Sequence, residues 1–183
     1  MKKNIAALAV FTLTIAGCDN YKADFAKAIS QDLEATGNLC LGIKKWPIEV
    51  TAFDMEMKSR KALTFSYLEV EGLVNSKDTV IMAGGLRIPT ALYTPSEKAK
   101  PFMIGPDICW GKKVLAEVVK WDGPVSNGDY KEATVQYTYQ VVPMNWVVNS
   151  GITYHYPETN LIHQGPQKAE ATVKLTSTGW EAK

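Results

Sequence analysis

Hydrophobic side chains recur every four residues near the start of the chain, at Phe25, Ile29 and Leu33, with Ala26 alongside. Lys22, Lys27, Gln31, Asp32 and Glu34 occupy the remaining turns. That period predicts an amphipathic helix over 21–36, with Asn20 as its N-cap and Gly37 as its stop. Trp46-Pro47-Ile48-Glu49-Val50 reads as a short extended piece, which Pro47 confines to a sheet edge or a strand start. A second helix is predicted over 54–71, with Met57, Leu63, Tyr67 and Val70 facing inward and Phe65 and Leu68 interrupting the stripe. It ends well: Gly72 suits a left-handed cap, and Leu73 can pack back onto the last turn.

Beyond Gly72 the period shortens to two. Strands are predicted over 79–83, 86–93, 113–121, 133–142, 151–156 and 169–175. The alternation is strictest in Val135-Gln136-Tyr137-Thr138-Tyr139-Gln140-Val141, which places Tyr137 and Tyr139 on one face. Gly84-Gly85, Asn127-Gly128 and Thr178-Gly179 mark tight turns. Helices followed by strands, with no βαβ alternation, define an α+β class: N-terminal helices, then an antiparallel, meander-like sheet in a single domain.

The first residues do not belong to this pattern. Met1-Lys2-Lys3 is a positive cap, and Ile5 to Ala16 carry no charge. The run is shorter than the ~20 apolar residues that span a bilayer, and it ends in small residues, as a secretory signal does. Ile15-Ala16-Gly17-Cys18 resembles the lipobox of bacterial lipoproteins. The resemblance implies that 1–17 is a signal peptide, removed before Cys18, and that Cys18 carries the acyl chains, palmitate among them. An ordinary secretion signal with an incidental Cys is the alternative. Residues 18–183 would then be a periplasmic domain on the cell envelope, anchored stably because several chains share one residue. Asp19 resembles the residue that retains lipoproteins at the inner membrane rather than the outer membrane of enteric bacteria.

Composition narrows the function classes. The chain has 20 Lys and Arg against 19 Asp and Glu, without a basic run, so nucleic acid is not an expected partner. Hydrophobic residues make up 46%, enough for a packed core. Once Cys18 is acylated, two cysteines remain, Cys40 and Cys109. An even pair in an oxidising compartment predicts a disulfide. It would close a loop of about 70 residues, worth roughly 4 kcal/mol on the chain-entropy model. Two unconnected buried thiols are the alternative.

Candidate chemistry is sparse. His155, Glu158 and His163 fall within nine positions, but no rigid element is predicted to converge them, and surface histidines are the default. Cys109 would serve as a nucleophile only if it were free and beside His155. The chain holds no Gly-x-Ser-x-Gly elbow, phosphate-cradling loop or His-Glu-x-x-His, and no cofactor is implied. Trp110, Trp121, Tyr137, Tyr139 and Trp146 are candidates for a binding surface; they can equally plug the ends of a small β-core, which is the favoured reading.

Leu68–Val74 resembles the end of a winged-helix recognition helix, although a capped helix feeding a strand explains it better. The β half, with Cys109-Trp110-Gly111-Lys112-Lys113, Asp129-Tyr130, Tyr137/Tyr139 and Gly179-Trp180, is similar to small uncharacterised lipoproteins of Gram-negative bacteria. The expectation is a non-catalytic, membrane-anchored lipoprotein that binds an envelope protein as an adaptor, inhibitor or immunity-type module. A small-ligand carrier with an apolar pocket is the alternative, and a cell-wall or lipid hydrolase a third reading.

Overall fold

A computed structural model describes residues 18–128, 130–148 and 150–183, apart from the side chains at 18–20 and 127. The expectation for 1–17 lies outside these residues, as do Asp129 and the side chains of Cys18 and Asp19. Helix α1 spans Cys18–Thr36, so Asn20 lies inside the helix instead of capping it. Then follow β1 (Asn38–Cys40), β2 (Ile48–Thr51), α2 (Ala52–Glu56), α3 (Arg60–Val70), β3 (Val74–Ala83) and β4 (Leu86–Pro95). The chain ends with β5 (Met103–Ile104), β6 (Asp107–Asn127), β7 (Tyr130–Pro143), β8 (Gln167–Thr176) and β9 (Gly179–Ala182).

The class is α+β, as the sequence pattern predicts. The larger sheet runs β1-β6-β7-β8-β9, with β5 on the start of β6, and the smaller runs β2-β4-β3. The strand pairs are antiparallel. β2 is an edge strand, where Pro47 can precede it without costing a ladder hydrogen bond.

Two cores hold the layers together. In the first, Phe25, Ala28, Ile29 and Leu33 of α1 pack on Val118, Val135, Tyr137 and Val173 of the large sheet. Phe25, Ile29 and Leu33 are the residues that the four-residue period selects, whereas the buried alanine is Ala28 and not Ala26, which is half-buried. In the second, Phe65 and Leu68 of α3 meet Val50 and Tyr93 from the small sheet, Ile108 and Trp110 from the large one, Leu73 just before β3 and Trp146 in the turn after β7.

The second helical stretch departs from expectation. Lys58 takes a positive φ of 48°, and the Ser59 hydroxyl caps a new helix by accepting from the Ala62 N–H. The break resets the phase, so Ala62, Phe65 and Leu68 point inward, while Met57 is 63% and Val70 82% exposed. The residues that interrupted the predicted stripe are the stripe. The end of α3 follows the sequence: Gly72, at φ 71°, donates to the Glu69 carbonyl, and Leu73 donates to that of Leu68, closing a Schellman cap.

Strand β6 is longer than the predicted 113–121 because register shifts at 115/117, 118/120 and 122/125 carry it through 21 residues. Each shift flips the facing of the side chains that follow and hides the alternation. The predicted strand over 151–156 is instead a 3-10 turn, Gly151–Tyr154, started by the Ser150 hydroxyl accepting from the Ile152 N–H. Among the described residues no helix is long and apolar enough to cross a membrane.

Candidate functional site

Cys40 and Cys109 face each other across the β1–β6 ladder, with Cα atoms 3.7 Å apart and sulfurs 2.02 Å apart, at bonding distance. Both lie in strands, Cys40 at the end of β1 and Cys109 near the start of β6. Cys109 is buried. With its sulfur engaged by Cys40, it is not available as a nucleophile.

The segment that leaves Cys40 forms one wall of a cleft, and it is fastened along its length. The Leu41 N–H donates to the Ile108 carbonyl (3.0 Å). The Tyr156 hydroxyl donates to the Leu41 carbonyl (3.3 Å). The N–H groups of Gly42 and Ile43 donate to the two carboxylate oxygens of Asp107 at 3.0 and 2.9 Å. The chain turns at Gly42, whose φ of 85° suits a residue without a Cβ. At the far end the indole N–H of Trp46 donates to the Pro106 carbonyl (2.7 Å), and its ring meets Phe65 edge-on. Lys44 and Lys45 stand exposed at the tip.

Helix α3 makes the opposite wall. Its first turn presents Arg60 and Lys61, and its next presents Thr64 and Phe65. The Arg60 guanidinium bonds the Glu158 carboxylate at 2.6 Å and lies 4.4 Å from the Tyr156 ring centroid. The hydrogen bond to Glu158 raises the Arg60 pKa, and the same bond lowers that of Glu158. Burial pushes the Tyr156 hydroxyl up, so it stays protonated and able to donate. Lys61 pairs with Asp54 at 3.0 Å. Between the walls lies a cleft of about 510 Å³, floored by Leu41, Ile43, Ile48 and Phe65 and rimmed by Lys44, Lys45, Arg60 and Lys61. A volume of this size and an apolar floor with a few placed polar groups are properties of small-molecule sites.

The five aromatics proposed from sequence are not part of this cleft. Trp110 and Trp146 are core residues, 2% and 6% exposed, and the Trp146 indole N–H donates to the Cys109 carbonyl. Trp110 backs the cleft only indirectly, packing edge-on behind Tyr156. Tyr137 is buried under α1, and Trp121 meets Phe25 edge-on at 5.7 Å. Tyr139 is half-buried, with the Lys113 ammonium 4.9 Å from its ring centroid. Spread over two cores, these five side chains plug the fold and do not make one surface. His155 stacks on Tyr67, and among the described residues no group of three or more His, Cys, Asp or Glu is placed to hold a metal ion.

Sequence reasoning missed the cleft, although a signal for it exists. Two basic pairs, Lys44-Lys45 and Arg60-Lys61, each lie within a few residues of an aromatic that packs inward, Trp46 and Phe65. Their convergence depends on the loop crossing α3, which no local period encodes. Comparison with protein-family models, curated proteins and solved structures finds no match.

Proposed function

We propose that this domain is a non-catalytic, lipid-anchored envelope protein that binds a small ligand in the cleft between residues 41–47 and α3. The observation that carries this reading is the pinned wall. A disulfide-distance pair, an Asp107 carboxylate on two backbone N–H groups and the Trp46 indole bond hold an otherwise irregular loop against the body. A site held open in advance loses little conformational entropy on binding. The anchor is Cys18, and Asp19 favours the periplasmic face of the inner membrane.

Native mass spectrometry of the full-length protein released from envelopes tests the reading. Wild type should carry a small-molecule adduct. Ile48→Trp, which fills the floor from an already half-buried position, should not carry it. Adduct-free wild type under gentle release overturns the proposal.

A second reading, an adaptor, inhibitor or immunity-type module for an envelope protein, draws support from the β3–β4 hairpin. Val80, Met82 and Leu86 are 45%, 66% and 70% exposed around its Gly84-Gly85 turn. Apolar side chains grouped this way suit a protein interface better than bulk water. Met82→Asp with Leu86→Asp should remove envelope crosslinks that the tagged wild type makes, and unchanged crosslinks count against this reading.

A further inference from the structure

The charge of the cleft says more about its occupant than its volume does. Among the described residues, four cationic side chains line it, Lys44, Lys45, Arg60 and Lys61, and no carboxylate does. Arg60 and Lys61 have partners behind the wall in Glu158 and Asp54. Lys44 and Lys45 have no salt-bridge partner among the described residues. Asp107 is turned onto the backbone N–H groups of Gly42 and Ile43 and is not part of the lining. The rim therefore offers donors and positive charge to an incoming group, in a chain whose charges otherwise nearly cancel.

The floor constrains the other end of the ligand. A peptide would bring an N–H and a C=O at every residue, and each would need a partner on burial. Apart from the rim cations and the Thr64 hydroxyl, the cleft has few to give. The N–H groups of Gly42 and Ile43 are taken by Asp107, the Leu41 carbonyl accepts from Tyr156, and Ile43, Ile48 and Phe65 present hydrocarbon. An alkyl chain makes no such demand.

Resting on the cleft-binding reading, we propose that the ligand is a single-chain amphiphile with an anionic headgroup, a carboxylate or a phosphate. Its headgroup sits at Lys44 and Lys45, and its chain lies on Ile43, Ile48 and Phe65. Association then weakens as salt screens the exposed lysines.

The test uses full-length protein in phosphatidylcholine nanodiscs, with empty nanodiscs as the blank. Dansyl-undecanoate reports occupancy by its rise in fluorescence in an apolar site. Dodecanoate and dodecyl phosphate should displace it at least tenfold better than dodecyl maltoside or dodecyltrimethylammonium, and the better of the two anions identifies the headgroup. Lys44→Glu with Lys45→Glu should weaken the probe about tenfold, as expected for reversing two exposed charges at a site. Its melting temperature should not change, because both lysines are exposed and form no salt bridge among the described residues. Equal displacement by the neutral maltoside, with an unaffected double variant, overturns the anionic headgroup and leaves the cleft reading standing. No saturable signal above the blank for any probe overturns both.

Discussion

Asp54 shows how one side chain ties the local backbone to the cleft. Its carboxylate accepts from the backbone N–H and the hydroxyl of Thr51 at 3.0 and 2.8 Å, completing a capping box at the start of α2, and it also holds Lys61 on the cleft rim. The Thr51 N–H first and the Lys61 ammonium second bring its pKa from 3.8 down to about 2. A carboxylate with a depressed folded pKa adds stability that is full above its unfolded value, about 3.9, and is lost as pH falls through the folded one. Asp54→Asn should therefore be less stable than wild type at pH 7, by about 1 kcal/mol on the scale of a lost cap. The difference should shrink from about pH 5 and nearly vanish at pH 2 as wild type becomes protonated. Urea melts across that range would show this; a difference that stays constant down to pH 2 would mean that ionisation is not what matters.

Among the elements, α1 and its sheet depend on one aromatic knot. Phe25 is fully buried and meets Trp121 at 5.7 Å and Trp180 at 4.9 Å, both edge-on. Phe25→Ala should cost about 3–5 kcal/mol and remove near-ultraviolet dichroism contributed by the two indoles, both measurable by denaturant titration. This packing was legible in the sequence because Phe25, Ile29 and Leu33 repeat along one unbroken helix. Strand β7 was legible for the same reason: Val135 and Tyr137 are buried, and Gln140, on the other face, is exposed. The inward face of α3 was not legible, since a single left-handed residue, Lys58, shifts the phase without changing the composition. Nor was the cleft, whose walls come from segments joined by long-range hydrogen bonds. The cysteine pair was predicted by parity, but its consequence for the neighbouring loop needed the structure. Replacing both Cys40 and Cys109 by Ala should cost roughly 4 kcal/mol for a loop of this length. Hydrogen exchange at the Gly42 and Ile43 amides should accelerate by more than it does in α1. Uniform acceleration across the domain would show that the pair stabilises the whole fold without any special hold on the cleft wall.

For the molecule as a whole, the proposed lipid anchor is tested at Cys18. Cys18→Ala should abolish incorporation of labelled palmitate and leave a precursor or a soluble form in fractionation. A variant that still takes up label and stays with membranes would refute the anchor. If the anchor holds, α1 sets the geometry of every encounter. The helix begins at Cys18 and ends at Thr36, and only Gly37 and the three residues of β1 separate it from the cleft wall. A helix of 19 residues is about 28 Å long. Attachment at Cys18 would then lie at one end of a helix packed on the large sheet, while the chain enters the cleft wall just beyond the other end; on the proposed reading, cargo would pass between cleft and membrane by way of a donor or acceptor, as goods do at a pier.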